Sequence, residues 1–200
     1  MLRSLVFALT LLLSLAAALH TNATVPVNPD SLIADLGGKT LGLLQQKQLT
    51  QRQRETQFRT LLHEGFDMAA MSRFVLGPYW RTATDPQRQE FLKLFEDYIV
   101  TAYSARFSQY SGEQFKTTGS RSEGADGWLV SSQILHANGG PPTKVDWRVG
   151  KMGTDFKIND VVVEGISLAI TQRQEFASVI QRNGGQLESL LKVLREKTRQ

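Results

Sequence analysis

The chain contains no cysteine among its 200 residues. This absence excludes disulfides, thiolate metal sites, a cysteine nucleophile and a lipidated N-terminal cysteine. A net excess of charge is also nearly lacking, because 23 Lys and Arg residues face 19 Asp and Glu residues, for a net charge of +4. Binding to nucleic acid requires a concentrated basic stripe, so this small excess indicates no nucleic-acid partner.

Motifs that carry catalytic chemistry are almost absent. The sequence has three histidines and contains no GxSxG elbow, no P-loop and no GxGxxG fingerprint. Residues 63–67 (HEGFD) resemble the zinc-protease motif HExxH, but Asp67 replaces the second histidine, and we interpret it as a helix cap. Asp155 and Asp160 flank a predicted strand, where isolated acids beside turns are usually solvated. We therefore predict no enzymatic activity, no cofactor and no metal site.

The N-terminus predicts a secretory signal peptide over residues 1–23. Arg3 supplies positive charge, residues 4–15 form an apolar run, and three alanines follow. This run is too short for a membrane-spanning helix, which needs about 20 apolar residues. Cleavage after Ala18 and cleavage after Ala23 both satisfy the small-residue rule. Residues 24–200 are then a single exported domain, and the lack of cysteine suits the oxidising periplasm.

Apolar spacing predicts helices at both ends of the exported domain. On the N-terminal side we predict helices over residues 32–48, 50–63, 68–76 and 85–109. Asp67 is the expected cap of the third helix and Asp85 that of the fourth. On the C-terminal side, Thr171 with Gln174 predicts a capping box for a helix that ends at residues 184–185. A final amphipathic helix is predicted by Leu187, Leu190, Leu191 and Leu194.

Between these helices the apolar period changes from 3.6 to 2, which predicts β-strands. We predict strands over residues 114–119, 128–135, 144–149 and 156–163. In the third strand, Val145, Trp147 and Val149 share one face, and charged residues, including Asp146, share the other. One face is therefore expected to be dry and the other wet, as in an antiparallel sheet. Consecutive strands flanked by helices predict an α+β fold rather than an alternating βαβ fold.

A set of segments in this order resembles the MlaC family of periplasmic lipid-binding proteins, also called toluene-tolerance auxiliary proteins. The segments are residues 74–81 (FVLGPYWR), residues 87–91 (QRQEF) with Phe95 and Tyr103, residues 145–149 (VDWRV), and residues 159–167 (NDVVVEGIS) leading into residues 172–176 (QRQEF). The likeness spans about residues 32–195. No single segment is diagnostic, but the ordered set behind a signal peptide is fairly specific. The hopanoid-associated branch HpnM is similar and stays an alternative.

This resemblance implies a twisted four-stranded antiparallel sheet packed against several helices, NTF2-like in type, with an apolar lipid pocket between sheet and helices. Members of the family hold phospholipid acyl chains in the pocket as cargo. They carry lipid across the periplasm between an outer-membrane lipoprotein–porin complex and an inner-membrane ABC transporter with a lipid-binding ring. This traffic maintains outer-membrane lipid asymmetry and involves no enzymatic step.

The apolar periodicity, taken with the family architecture, predicts which residues line the pocket. They are Val75, Tyr79, Phe91, Phe95, Ile99, Tyr103, Val130, Val145, Trp147, Val149, Ile158 and Val163. A filled core shows the same pattern in sequence, so a periplasmic scaffold without cargo stays open as an alternative, as does a small enzyme with an NTF2-like pocket. Residues 79–81 (YWR) place aromatic rings beside an arginine, which suits an interface or a helix end.

Overall fold

A computed structural model describes residues 28–199 and shows an α+β fold. The predicted signal peptide and both cleavage positions lie outside these residues. The helices before the sheet are α1 (Pro29–Gln45), α2 (Gln51–Gly65), α3 (Met68–Leu76), α4 (Tyr79–Thr82) and α5 (Asp85–Ser104). The helices after the sheet are α6 (Leu168–Arg182) and α7 (Leu187–Thr198). Among residues 28–199, none of the helices combines the length and the apolar character that a membrane crossing requires.

The sheet has five antiparallel strands, which lie side by side in chain order. They are β1 (Gln114–Ser122), β2 (Gly127–Leu135), β3 (Thr143–Met152), β4 (Asp155–Val163) and β5 (Ile166–Ser167). The prediction of four strands was therefore one too few. Strand β5 has only two residues, too short to show a period of two, and it pairs back onto β4 through a two-residue turn. Glu164 and Gly165 form this turn with φ angles of +49° and +81°.

Helix α1 lies three residues earlier than the predicted range of 32–48. Three predicted boundaries of α5 and α6 were wrong because local contacts decide them. The cap of α5 is Thr84 rather than Asp85, since the Thr84 side chain accepts the Gln87 N–H in a capping box. Helix α5 ends at Ser104 rather than near Gln109, and a single 3-10 turn follows at Phe107–Gln109. Helix α6 begins after Ser167, one turn before the predicted capping box, so that Thr171 lies inside the helix. Asp67 caps α3 as expected, with its carboxylate 2.8 Å from the Ala70 nitrogen.

A β-bulge in β4 decides which side chains of this strand face which layer. Arg148 of β3 pairs with Asp160 and its neighbour Val149 pairs with Ile158, so Asn159 is an extra residue in β4. Without the bulge, Ile158 and Asp160 would point to the same face, because side chains alternate along a strand. The bulge instead puts Ile158 on the apolar face and Asp160 on the opposite face.

Two buried carboxylates correct the expectation that the second sheet face is wet. Asp146 is only 7% exposed; it accepts a hydrogen bond from the Ser131 hydroxyl at 2.6 Å and pairs with Lys144 at 3.2 Å. Asp160 is only 6% exposed and accepts hydrogen bonds from the Ser167 hydroxyl at 2.6 Å and the Ala169 nitrogen at 3.1 Å. These acids are therefore bound internally, and Asp160 fixes the first turn of α6 to the sheet.

The apolar interior of the described residues contains two clusters. The helical cluster joins α3, α5, α6 and α7 and consists of Val75, Leu76, Ala83, Phe91, Leu94, Phe95, Ala169, Phe176, Ile180, Leu187, Leu190, Leu191 and Leu194. The sheet cluster joins α1 to β2, β3 and β4 and consists of Leu32, Ile33, Leu36, Val130, Val149 and Ile158. The helices of the first cluster meet the sheet mainly where α3 and α6 contact β4. We call this boundary the seam.

Replacing Asp160 with alanine is expected to lower the free energy of unfolding by about 1–3 kcal/mol, because the Ser167 hydroxyl and the Ala169 N–H lose their buried acceptor. Urea denaturation monitored by circular dichroism measures this change. Asp155→Ala is the matched control, since Asp155 is an exposed acid at the start of the same strand. The control should stay within about 0.5 kcal/mol of wild type. Equal losses in the two variants would contradict the role of Asp160.

Candidate functional site

Helices α5 and α6 together place three aromatic rings at the centre of the helical cluster. Phe91 and Phe95 stack with their ring centroids 5.8 Å apart, and Phe176 of α6 meets both rings edge-on at 5.9 Å. Phe91 is fully buried and Phe95 nearly so. These rings follow from the helical spacing that the sequence showed, and they form a tightly packed interior between α5 and α6.

The C-terminal half of α5 extends beyond this packed centre. Ile99 and Tyr98 are half-buried at the edge of the helical cluster, and Tyr103 is 38% exposed. Burial raises the pKa of the Tyr98 phenol, and the negative charge of Glu175 acts in the same direction. The Arg106 guanidinium lies 5.7 Å from the centre of the Tyr103 ring. This end of α5 therefore presents apolar surface with a polar margin.

The apolar face of the sheet has its polar atoms satisfied internally. The buried Ser132 hydroxyl donates to the Val145 carbonyl and accepts from the Trp147 indole N–H, each at 2.9 Å. Phe115 packs edge-on against Trp147 with ring centroids 6.2 Å apart. The face thus holds its aromatic side chains in place and offers apolar contact.

Helix α1 covers part of this face, and sequence reasoning missed its role. Leu32, Ile33 and Leu36 are buried in the sheet cluster, and their i, i+1, i+4 spacing was visible in the sequence. A Cβ atom on Gly37 would lie 2.3 Å from the Phe115 ring, so this glycine allows the helix to approach the sheet closely. Helix α1 contains two adjacent glycines, Gly37 and Gly38, and Gly37 therefore has a packing function.

The twelve residues predicted to line a pocket are divided between the two clusters. Val75, Phe91 and Phe95 are in the helical cluster, with Tyr79 and Ile99 packed against it. Val130, Val149 and Ile158 are in the sheet cluster, with Trp147 packed against it. Val145 and Val163 pair across β3 and β4 and belong to neither cluster, while Tyr103 is exposed. The structure thus gathers most of the set into two walls rather than around one cavity.

Two grooves open on the surface, and neither includes any of these twelve residues. One, of about 370 Å³, lies between α3, α4 and α6 and is lined by Arg73, Phe74, Gly77, Pro78, Trp80, Arg81 and Arg173. The other, of about 380 Å³, lies between α2, α3 and α5 and is lined by Arg59, Met68, Ala69, Ser72, Gln89, Leu92, Lys93 and Glu96. The apolar pocket between sheet and helices therefore stays a prediction.

The HExxH-like segment contributes to an ion-pair network between α2 and α5. His63 Nε2 lies 3.0 Å from Glu96 Oε1, and Arg59 bridges Glu96 and Asp97. Although burial opposes it, hydrogen bonds from Lys93 and Arg59 hold the pKa of Asp97 below its usual value. Within residues 28–199, no three His, Asp or Glu residues lie close enough together to hold a metal ion.

Comparison with known proteins relates the chain to lipid-binding proteins. The family model described as MlaC protein matches residues 35–196. The intermembrane phospholipid transport system binding protein MlaC of Haemophilus influenzae is 25% identical over 113 residues, which are 55% of this chain and 53% of the relative. The toluene tolerance protein ttg2D of Pseudomonas putida is also 25% identical over 113 residues, 56% of this chain and 52% of the relative. The chain thus spans about half the length of these relatives.

A solved structure shares the fold. A phospholipid-binding protein from Ralstonia solanacearum, determined in complex with a phospholipid, superposes with a TM-score of 0.73 at 20% identity. The match covers 84% of this chain and 96% of that one. At this identity the likeness shows the architecture, which is the α+β arrangement described above. Because the family model matches residues 35–196 of 200, the chain belongs to the MlaC family.

Proposed function

We propose that this protein is a periplasmic lipid carrier that binds phospholipid acyl chains and shuttles lipid between an outer-membrane lipoprotein–porin complex and an inner-membrane ABC transporter. The observation that carries the proposal is the match of residues 35–196 to a family in which a relative is named for intermembrane phospholipid transport. The phospholipid-bound structure with the same architecture supports it. The phospholipid is cargo, and the carrier performs no chemical step on it.

The cargo site lies at the seam, in an NTF2-like arrangement of a sheet facing helices. Each cluster is packed within its own layer, and the helical layer contacts the sheet mainly along β4. Separating the layers therefore disrupts far less apolar contact than opening either cluster. Nine of the twelve predicted residues lie in or against the two clusters and form the proposed walls, which Tyr103, Val145 and Val163 extend.

The acyl chains enter where both apolar rows continue beyond their clusters. On the helical side, the row along α5 continues to Ile99 and Tyr103, which are half-buried and exposed. On the sheet side, it continues to the cross-strand pair of Val145 and Val163, of which Val163 is half-buried. Apolar side chains that are only partly covered are the ones that gain most from contact with an acyl chain.

The energetics of acyl chains require transfer by direct contact. Each methylene buried from water contributes about 0.8 kcal/mol. Two chains of about 15 methylenes give an upper limit of about 24 kcal/mol, and half of this corresponds to a nanomolar affinity measured from water. Release into water is therefore negligible. The cargo leaves only when a partner offers another apolar site, so that the net free-energy change of the transfer is small.

Native mass spectrometry of the protein purified from the periplasm is expected to show one diacyl phospholipid per chain. The double variant Ile99→Trp with Val163→Trp should lower this occupancy at least twofold, because the larger side chains fill the open end of the seam. Organic extraction then identifies the lipid. A hopanoid would support the carrier function but would identify hopanoid rather than phospholipid as the cargo.

The matched control for this experiment is Leu92→Trp with Val193→Trp. Both residues are half-buried apolar side chains of the helical layer, and Leu92 lies two turns before Ile99 on α5. The control should keep its lipid, and circular dichroism should show that both variants are folded. A wild-type chain that carries no lipid, even after mixing with liposomes, would support the scaffold and refute the carrier. Equal loss of lipid in the two variants would reject the seam as the site.

Export through the signal peptide is a separate part of the proposal. The mature protein recovered from the periplasmic fraction is expected to begin at Leu19 or at Thr24, because cleavage after Ala18 or Ala23 satisfies the small-residue rule. Intact-mass measurement distinguishes the two products and the uncleaved chain. Recovery of the uncleaved chain in the cytoplasm would contradict the periplasmic assignment.

A further inference from the structure

The groove between α3, α4 and α6 concentrates positive charge on a chain with little net charge. Arg73 lies at the end of α3, Arg81 in α4 and Arg173 in the first half of α6. None of the seven residues that line this volume of about 370 Å³ is acidic. Arg73 and Arg81 are close in sequence, and the packing of α3 on α6 brings the distant Arg173 beside them. We call this feature the arginine groove.

No carboxylate in residues 28–199 forms an ion pair with these three guanidinium groups. Within residues 28–199, no Asp or Glu oxygen lies within 4.0 Å of their nitrogens, whereas Arg59, Arg88 and Arg195 each form ion pairs. Arg73 makes one long contact, with its Nε atom 3.4 Å from the Ala69 carbonyl oxygen. The groove therefore keeps donors and positive charge available for an anion from outside the chain.

One of the three side chains, that of Arg173, packs closely against α3 and the residue that follows it. The guanidinium carbon of Arg173 lies 5.2 Å from the centre of the Phe74 ring. Gly77, with a φ angle of +58°, also lies close to this side chain, because a Cβ atom there would lie 2.9 Å from Arg173 Nε. Stacking on a ring occupies the face of the guanidinium and leaves its in-plane N–H donors free. Arg173 is thus held in an orientation that can bind an anion.

Exposed aromatic surface accompanies this charge. Phe74 is 42% exposed, and Trp80 is half-buried on the α4 side of the groove. Guanidinium groups bind phosphate oxygens in a bidentate manner. Trp rings are enriched at the headgroup level of a bilayer, and Phe is common on the membrane-facing side of interfacial helices. An acidic protein segment would also supply anions, but the exposed ring beside the arginines favours a lipid surface.

We propose that the arginine groove binds the phosphate group of a phospholipid headgroup at the surface of an anionic bilayer. This docking site is separate from the seam that we assign to cargo. The inference rests on the proposed function only because that function places the protein between phospholipid membranes. Lipid extraction measures the bound cargo, and vesicle binding measures docking. Failure of docking and failure of the carrier function are therefore distinguished by separate measurements.

The test is cosedimentation of the full mature chain with vesicles. Wild-type protein should bind vesicles of equal parts phosphatidylglycerol and phosphatidylcholine at 50 mM salt, and bind them more weakly at 500 mM salt because exposed charges are screened. Replacing Arg73, Arg81 and Arg173 with glutamine should weaken binding by about fivefold per residue, which gives about 100-fold for the triple variant. The bound cargo should be unchanged, because these residues lie outside both clusters.

The matched control is the triple variant Arg52→Gln, Arg182→Gln, Arg199→Gln. It removes the same charge from exposed positions without an ion pair within residues 28–199, and Arg182 lies nine residues after Arg173, on the opposite side of α6. Its vesicle binding should stay within about threefold of wild type, since only nonspecific attraction is lost. Equal loss in both triple variants would overturn the proposal, because net charge alone would then explain binding.

Three further outcomes would also overturn the proposal. The first is a wild-type chain that does not bind anionic vesicles at 50 mM salt. The second is inorganic phosphate binding to the same arginines with the same affinity as the vesicles, which would assign the groove to a free anion. The third is polyglutamate binding through these arginines in the absence of vesicle binding, which would assign the groove to an acidic protein.

Discussion

The β-bulge in β4 is the constraint on which the rest of this structure depends. By adding Asn159, it turns Ile158 into the apolar face of the sheet and Asp160 toward the opposite face. Ile158 then joins the sheet cluster, and its carbonyl accepts the Asp67 N–H at 2.9 Å, at the start of α3. Asp160 binds the first turn of α6. One inserted residue thus attaches both helices of the seam to a single strand, and a regular strand would leave one of these contacts unmade.

This mode of attachment explains why two clusters can exist in one domain of this size. Hydrogen bonds join β4 to Asp67, the cap of α3, and to the first turn of α6, so the helical layer does not need a continuous apolar interface to stay in place. Most of the apolar contact then forms within each layer. A carrier needs this property, because a boundary that contributes little to folding stability is one that cargo can occupy and leave without unfolding the protein.

The sequence predicted the features that depend on apolar periodicity. It failed for the features that depend on contacts with residues elsewhere in the chain. All four leucines of α7 are buried as their spacing indicated, and the four long strands were found within a few residues. The predictions of a wet face and of a cap at Thr171 both failed at Asp160, which is buried and binds Ser167 and the first turn of α6. No local pattern marks a bulge, and an acid that binds Ser167 has the same sequence signature as a solvated one. The pocket residues could not be tested by pattern either, since a wall and a filled core share the same periodicity.

The arginine groove and the seam supply complementary kinds of contact. In the proposed carrier, apolar burial at the seam would provide the affinity for acyl chains, but such burial is nondirectional and does not orient the protein toward a membrane. Charged groups at an exposed surface contribute less binding free energy than apolar burial. They nevertheless orient the protein toward an oppositely charged surface and accelerate its association, and salt weakens this attraction. A carrier that docked on the bilayer through apolar contacts would dissociate from the bilayer as slowly as its cargo dissociates from the protein. In the two proposals taken together, the arginines beside Phe74 dock the protein on the membrane and the seam holds the lipid, so docking and cargo binding use different residues.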